Sequence, residues 1–351
     1  MTDTTWNRAR GELEALVADQ GFSGSVRVSR GDHVLLEFCG GLADRASGTT
    51  VHPGTRFELA SLSKMYTAAA VLSCVRDGLL AVTDRIVDVL PAERRPRTLD
   101  SAVTVHHLLT HTSGIGDYAE EYEDRPHYVA DYASIWEDLP MYRMERPDDF
   151  LPLYTDLTAI FAPGAEHHYS NGGYVLLGAV LEQAGDGAFA DLVAERVFGP
   201  AGMTGSAYLR SDESNPDVAV GYPPGDGPPW RSNIFSVPVI GGGDGGGHST
   251  AVDVDRFLRA VVSGSLLGPE TTALMLEPHV AVGDEEGWHM GYGVFLGPGG
   301  SIGHGGGDPG VETGARYLRD SDIAWVVLCN VEGVLDPAWD VLEQAVASLT
   351  G

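Results

Sequence analysis

Apolar residues recur along this chain with two different periods. Near the N-terminus, Trp6, Leu13, Leu16 and Val17 fall on one face of a helix, which Gly21 and Gly24 bring to an end. Residues 25–29 and 33–38 flank Arg30-Gly31-Asp32 and predict a β-hairpin. The C-terminal end mirrors this, with strands predicted over 288–296, 313–318 and 322–330. A closing helix follows, with Asp336 as N-cap, Pro337 at the first helical position, and Trp339, Leu342, Val346 and Leu349 on one side. The middle reads differently. Residues 61–78, 104–112, 172–185 and 251–263 keep helical period and are joined by long loops. Strand-rich ends around a helical middle predict an α/β (α+β) fold. Residues 1–60 and 233–351 would form an antiparallel sheet domain flanked by N- and C-terminal helices, with 61–232 inserted as a mainly helical domain.

Two irregular stretches interrupt this pattern. Residues 117–149 hold eleven acids and three arginines, interleaved with Tyr118, Tyr122, Tyr128, Tyr132, Trp136 and Tyr142. Residues 221–247 are rich in Gly and Pro, and 241–247 are all Gly except Asp244. Loops this long in a compact protein are usually functional or disordered. No Gly-Lys-Ser/Thr follows the glycines, so a phosphate cradle is not indicated and a flexible loop is expected.

Charge narrows the function classes. The chain has 351 residues, 50 acidic and 22 basic, for a net charge of −28, and 43% of it is hydrophobic. It can bury a large core. So acidic a chain is a poor partner for nucleic acid or for an anionic membrane surface. No apolar stretch approaches the ~20 residues of a membrane span, and residues 1–16 show no secretion-signal core. Three dispersed cysteines make neither a disulfide framework nor a zinc spacing. A cytoplasmic, reduced setting is the expectation. One count is sharper: of the 22 basic residues, a single one is lysine, Lys64.

Lys64 lies three residues after Ser61, at the start of a stretch with helical period (Met65, Ala68, Ala69, Leu72, Val75). Side chains at i and i+3 of a helix are neighbours. Burial lowers a lysine pKa, and a neutral amine can take a proton from a serine hydroxyl. Two further motifs carry compatible chemistry. Tyr169-Ser170-Asn171 supplies a phenol that can relay a proton and an amide that can hold the amine. His304-Gly305-Gly306-Gly307 allows a backbone N–H to approach a bound carbonyl.

Taken in order, Ser-x-x-Lys, Tyr-x-Asn and His-x-Gly resemble the serine β-lactamase and penicillin-binding-protein-like superfamily, in the branch of class C β-lactamases, D,D-carboxypeptidases, D-aminopeptidases and β-lactamase-like esterases. Phe57-Glu58-Leu59-Ala60, Leu108-Leu109-Thr110-His111-Thr112-Ser113-Gly114-Ile115, Asn171-Gly172-Gly173-Tyr174 and Ser249-Thr250-Ala251-Val252-Asp253 extend the resemblance over nearly the whole chain. It implies Ser61 as the nucleophile of an acyl-enzyme, and Lys64 and Tyr169 as general base and proton shuttle. It also implies Asn171, His304 and Gly306 as substrate-binding residues, and the N–H groups of Ser61 and Gly307 as oxyanion hole. No cofactor or metal is called for. Many β-lactamases have a Lys where this chain has His304, and that Lys helps to bind a substrate carboxylate. The substitution favours a small ester or amide substrate (esterase, D-amino-acid peptidase or acyltransferase chemistry) over a β-lactam. A non-catalytic binding module on the same fold is the alternative of a different class, and intact Ser61, Lys64 and Tyr169 argue against it.

The remaining candidates carry weaker signals. His106, His107 and His111 lack the HExxH pattern of a zinc site, and the resemblance makes His111 structural. His167 and His168 read as exposed loop residues. In the acidic segment, Glu120, Glu121 and Glu123 are candidates for recruiting an amine-bearing substrate, against the background of a chain acidic throughout.

Overall fold

The computed structural model describes residues 2–130, 132–225, 227–283 and 287–350; Asp131 of the acidic segment lies outside them. Eight strands form one antiparallel sheet, in the order His33–Gly40, Gly24–Arg30, Ile323–Cys329, Val311–Leu318, Ser301–Asp308, Phe295–Gly297, His289–Met290 and Val280–Ala281. Both ends of the chain therefore meet in one sheet, because Gly24–Arg30 pairs along its length with Ile323–Cys329.

Every residue of Ile323–Cys329 is buried, and its two faces serve different cores. Ile323, Trp325, Val327 and Cys329 pack with Trp6, Leu13, Leu342 and Val346 of the terminal helices Thr2–Asp19 and Leu335–Thr350. Ala324, Val326 and Leu328 face the other way, into a core shared with helices Lys64–Arg76, Asn171–Gly185 and Ala251–Val262. The period of two along a strand thus glues the sheet between two helical layers. Among the described residues no helix is long and apolar enough to cross a membrane.

Two local expectations need correction. The closing helix is not capped by Asp336, which sits inside its first turn. Glu312 does that work from a neighbouring strand, accepting from the N–H groups of Gly333, Val334 and Leu335 at 2.8, 3.1 and 2.9 Å. A carboxylate can cap a helix N-terminus from anywhere in the sequence, because only free N–H groups and the helix dipole are needed. The glycines beside His304 do lie at an open edge: Ser301–Asp308 pairs with Val311–Leu318 along its whole length, but with Phe295–Gly297 only over Ser301–Gly303. The 241–247 segment is not a free loop. Thr67 donates to the Gly243 carbonyl at 2.7 Å, and a Cβ on Gly243 would stand 2.1 Å from the Tyr174 carbonyl oxygen. Glycine is there for close approach to two helices.

Candidate active site

The site begins with a strained turn. Leu59 is anchored from two sides: its N–H donates to the Gly247 carbonyl at 2.8 Å, and its carbonyl accepts from Thr313 Oγ1 at 2.8 Å. Ala60, fully buried, then takes a φ of 48°, a region that costs a non-glycine residue about 1–3 kcal/mol. The 3₁₀ turn Ala60–Ser63 runs directly into helix Lys64–Arg76. Ser61 is left at its start and Lys64 points back beside it.

Lys64 is wholly buried, and its amine has three neighbours: Ser61 Oγ at 2.9 Å, Asn171 Oδ1 at 2.8 Å and the Asp244 carbonyl at 2.5 Å. The carbonyl and the amide oxygen can only accept. The Asn171 amide is oriented by its NH₂, which faces the Ala119 carbonyl and Glu121 at 3.4 and 3.3 Å. An ammonium would donate to all three neighbours. A neutral amine donates twice, to Asn171 and Asp244, and its lone pair is then left for the Ser61 hydroxyl. Burial holds the amine below the ordinary lysine value, against the pull of Asp244, Glu121, Asp117 and Asp308.

Tyr169 comes from the segment before helix Asn171–Gly185, and its ring centroid lies 4.8 Å from the Lys64 amine. Burial pushes its phenol well above the usual range and Glu121 adds to the push, while a hydrogen bond with Ser61 pulls the other way. The ring stacks on His111 at 4.5 Å, and His111 stacks in turn on Tyr174 at 4.8 Å. His111 Nδ1 accepts from the Ser170 N–H at 3.0 Å, which fixes the proton on Nε2. Asp117, pushed up to about 6 by burial, accepts from the N–H groups of Asn171 and Gly172 at 2.6 and 3.0 Å. It thereby ties the acidic segment to the helix that carries Asn171. Asp244 does the same for the glycine segment, its carboxylate accepting from the Tyr118 hydroxyl.

A cavity of about 350 Å³ opens over Ser61 and is lined also by Asn171, Gly307, Glu58, Glu121 and Asp308. Ser61 and Gly307, the pair that the family resemblance implies as oxyanion hole, thus line one cavity. His304 and Gly306 do not line it. His304 Nδ1 faces the Gly305 carbonyl, and its Nε2 is buried without a partner among the described residues. Burial and the nearby Lys64 hold it neutral, down to about 3. Gly306 packs on the nucleophile turn, where a Cβ would stand 2.4 Å from the Leu59 carbonyl oxygen and 2.9 Å from the Leu62 nitrogen. Close packing on that turn is what calls for glycine here. His167 is half-buried, and His168 is no surface residue: it is buried and pairs with the buried Glu120 at 2.8 Å. Glu123 is exposed, so of the three glutamates proposed for amine recruitment only Glu121 reaches the cavity. His106, His107 and His111 bond to Tyr292, Thr104 and Ser170 respectively, and no metal-binding group forms among the described residues.

Residues 9–347 match the family model described as Beta-lactamase. The chain belongs to the β-lactamase family. It is 32% identical over 291 residues to Esterase EstB of Burkholderia gladioli, covering 76% of this chain and 73% of that one. It is 31% identical over 205 residues to a D-aminopeptidase of Cereibacter sphaeroides, an alignment that takes in 58% of this chain and 36% of the relative. Among solved structures, a penicillin binding protein from Bacillus halodurans superposes with a TM-score of 0.86 at 34% identity, covering 96% of this chain and 99% of that one. A mixed α/β, β-lactamase/transpeptidase fold and a family of serine hydrolases with esterase and D-aminopeptidase members are therefore in hand. Asp244, Asp117, Glu58 and Asp308 were not singled out from the sequence. The single non-glycine in 241–247 was the one available sign of Asp244.

Proposed function

We propose that this member of the β-lactamase family is a serine acyl hydrolase that cleaves a small ester or amide through a covalent intermediate on Ser61. The observation that carries the reading is the Lys64 amine, fully buried, with two obligate acceptors and the Ser61 hydroxyl as its neighbours. In the first step Ser61 Oγ bonds to the substrate carbonyl carbon and its proton passes to Lys64. Lys64 is the first base, because burial favours its neutral form whereas Tyr169 is held protonated. The oxyanion meets the N–H groups of Ser61 and Gly307. The C–O or C–N bond then breaks, and the proton reaches the leaving group through Tyr169. Water repeats the sequence in reverse and frees the acid.

The test is intact-mass spectrometry with a fluorophosphonate and with p-nitrophenyl acetate. A single adduct is expected on the wild-type chain and none on Ser61→Ala, with turnover lost by at least about 10³-fold. Labelling of the Ser61→Ala chain at the same rate would overturn the assignment.

A further inference from the structure

We infer that the substrate taken by the Ser61 site carries a positively charged amine close to the scissile carbonyl, and that Glu58 and Asp308 bind it. This rests on the serine hydrolase reading above and adds the chemical class of the substrate. The cavity over Ser61 is lined by five acidic residues and one arginine. That arginine, Arg210, is already committed to Asp212 and Glu145 at 2.9 and 3.0 Å. Lys64 is enclosed by its three neighbours, and the cavity histidine, His248, is held neutral by burial at about 4. Among the described residues of the cavity wall, a substrate carboxylate would find no free cation.

Glu58 and Asp308 are the pair with unmet demand. They stand on different elements, the short strand Phe57–Glu58 and the strand Ser301–Asp308, and converge on the same cavity. Glu58 receives one neutral donor, the Asn233 amide at 3.2 Å. Among the described residues Asp308 has no hydrogen-bond donor to its carboxylate. Burial, and then the charge of Glu58, raises the cost of ionising Asp308, a cost that an ammonium ion beside the two carboxylates would offset. Asp308 directly follows Gly307, so their Cα atoms are about 3.8 Å apart. An amine held there lies within a few bonds of a carbonyl seated at the oxyanion position, as in an aminoacyl ester or amide. Tyr132, also on the cavity wall, offers an aromatic surface for the same cation.

Hydrolysis of an aminoacyl p-nitrophenyl ester is compared with its des-amino counterpart, which has the same carbon skeleton. The wild-type protein is expected to prefer the amino ester at least tenfold in kcat/KM. Asp308→Asn and Glu58→Gln are each expected to cut that preference at least threefold, and the double variant to abolish it. Reading the ratio cancels any general loss from misfolding or misplaced Gly307. Absence of a preference in the wild type overturns the inference even where Ser61 is acylated by both esters. A preference that survives the double variant overturns the assignment of the two carboxylates. Failure of the fluorophosphonate to label Ser61 would instead sink the hydrolase reading itself, so the two failures are separable.

Discussion

Lys64 can be read from the sequence because a single lysine stands out against 21 arginines and falls at Ser61+3. Arg cannot replace it, since a guanidinium does not deprotonate in a protein. Lys64→Arg should lower kcat/KM for p-nitrophenyl acetate by about 10²–10⁴-fold. In the wild type the sign of the pH effect is fixed by burial. A lowered amine pKa means that the competent neutral form is gained as pH rises, and gained below the ordinary lysine value of 10.5. The rate should therefore climb with pH from an acid limb whose midpoint lies below that value. A midpoint at or above it would remove Lys64 as first base. The residues that hold Lys64 in place were not legible in the same way. Asp244 acts on Lys64 through its backbone carbonyl, which every residue possesses. Asp117 acts on the N–H groups of residues 54 and 55 positions away. Such roles depend on proximity in space and leave no spacing in the chain.

Elements with strong periodicity were legible, and those built by their neighbours were not. Helices Lys64–Arg76, Asn171–Gly185 and Ala251–Val262 fall where the apolar period places them. The strand Ser301–Asp308 contains four glycines, a poor strand composition on its own. It forms because Val311–Leu318 pairs with it along its whole length and Phe295–Gly297 pairs with its first three residues, and Gly306 lets the nucleophile turn settle against it. Two adjacent positions on this strand should respond oppositely. A Cβ at Gly306 meets the backbone of Leu59 and Leu62 inside contact distance, whereas one at Gly307 meets nothing within 4 Å. Gly306→Ala should cost about 1–3 kcal/mol in urea unfolding, as overpacking does, and should slow fluorophosphonate labelling by displacing Ser61. Gly307→Ala should stay within about 0.5 kcal/mol of wild type in the same unfolding experiment. Equal destabilisation of both would show that the strand tolerates no side chain for some other reason.

Charge acts on the molecule as a whole. With 50 acids against 22 basic residues, arginines cannot neutralise the surface, although many are engaged. Arg94 bridges Asp148 and Glu182, and Arg259 bridges Asp255 and Asp322. Salt affects these two features in opposite directions. It weakens exposed ion pairs, each worth about 0–1 kcal/mol, and it screens repulsion among the excess carboxylates, which is stronger in the compact state than in the expanded one. At 0.05 M NaCl the screening length exceeds the ~8 Å of physiological salt, and at 0.5 M it is well below it. A net charge of −28 makes repulsion the larger of the two. The thermal midpoint should therefore rise between 0.05 and 0.5 M NaCl, by about 2 °C or more. The salt should be a chloride, because sulfate strengthens apolar burial by exclusion and would raise the midpoint regardless of charge. A midpoint that falls over this range would mean that the arginine pairs outweigh the repulsion, and that the acidic surface is stabilised locally despite its net charge.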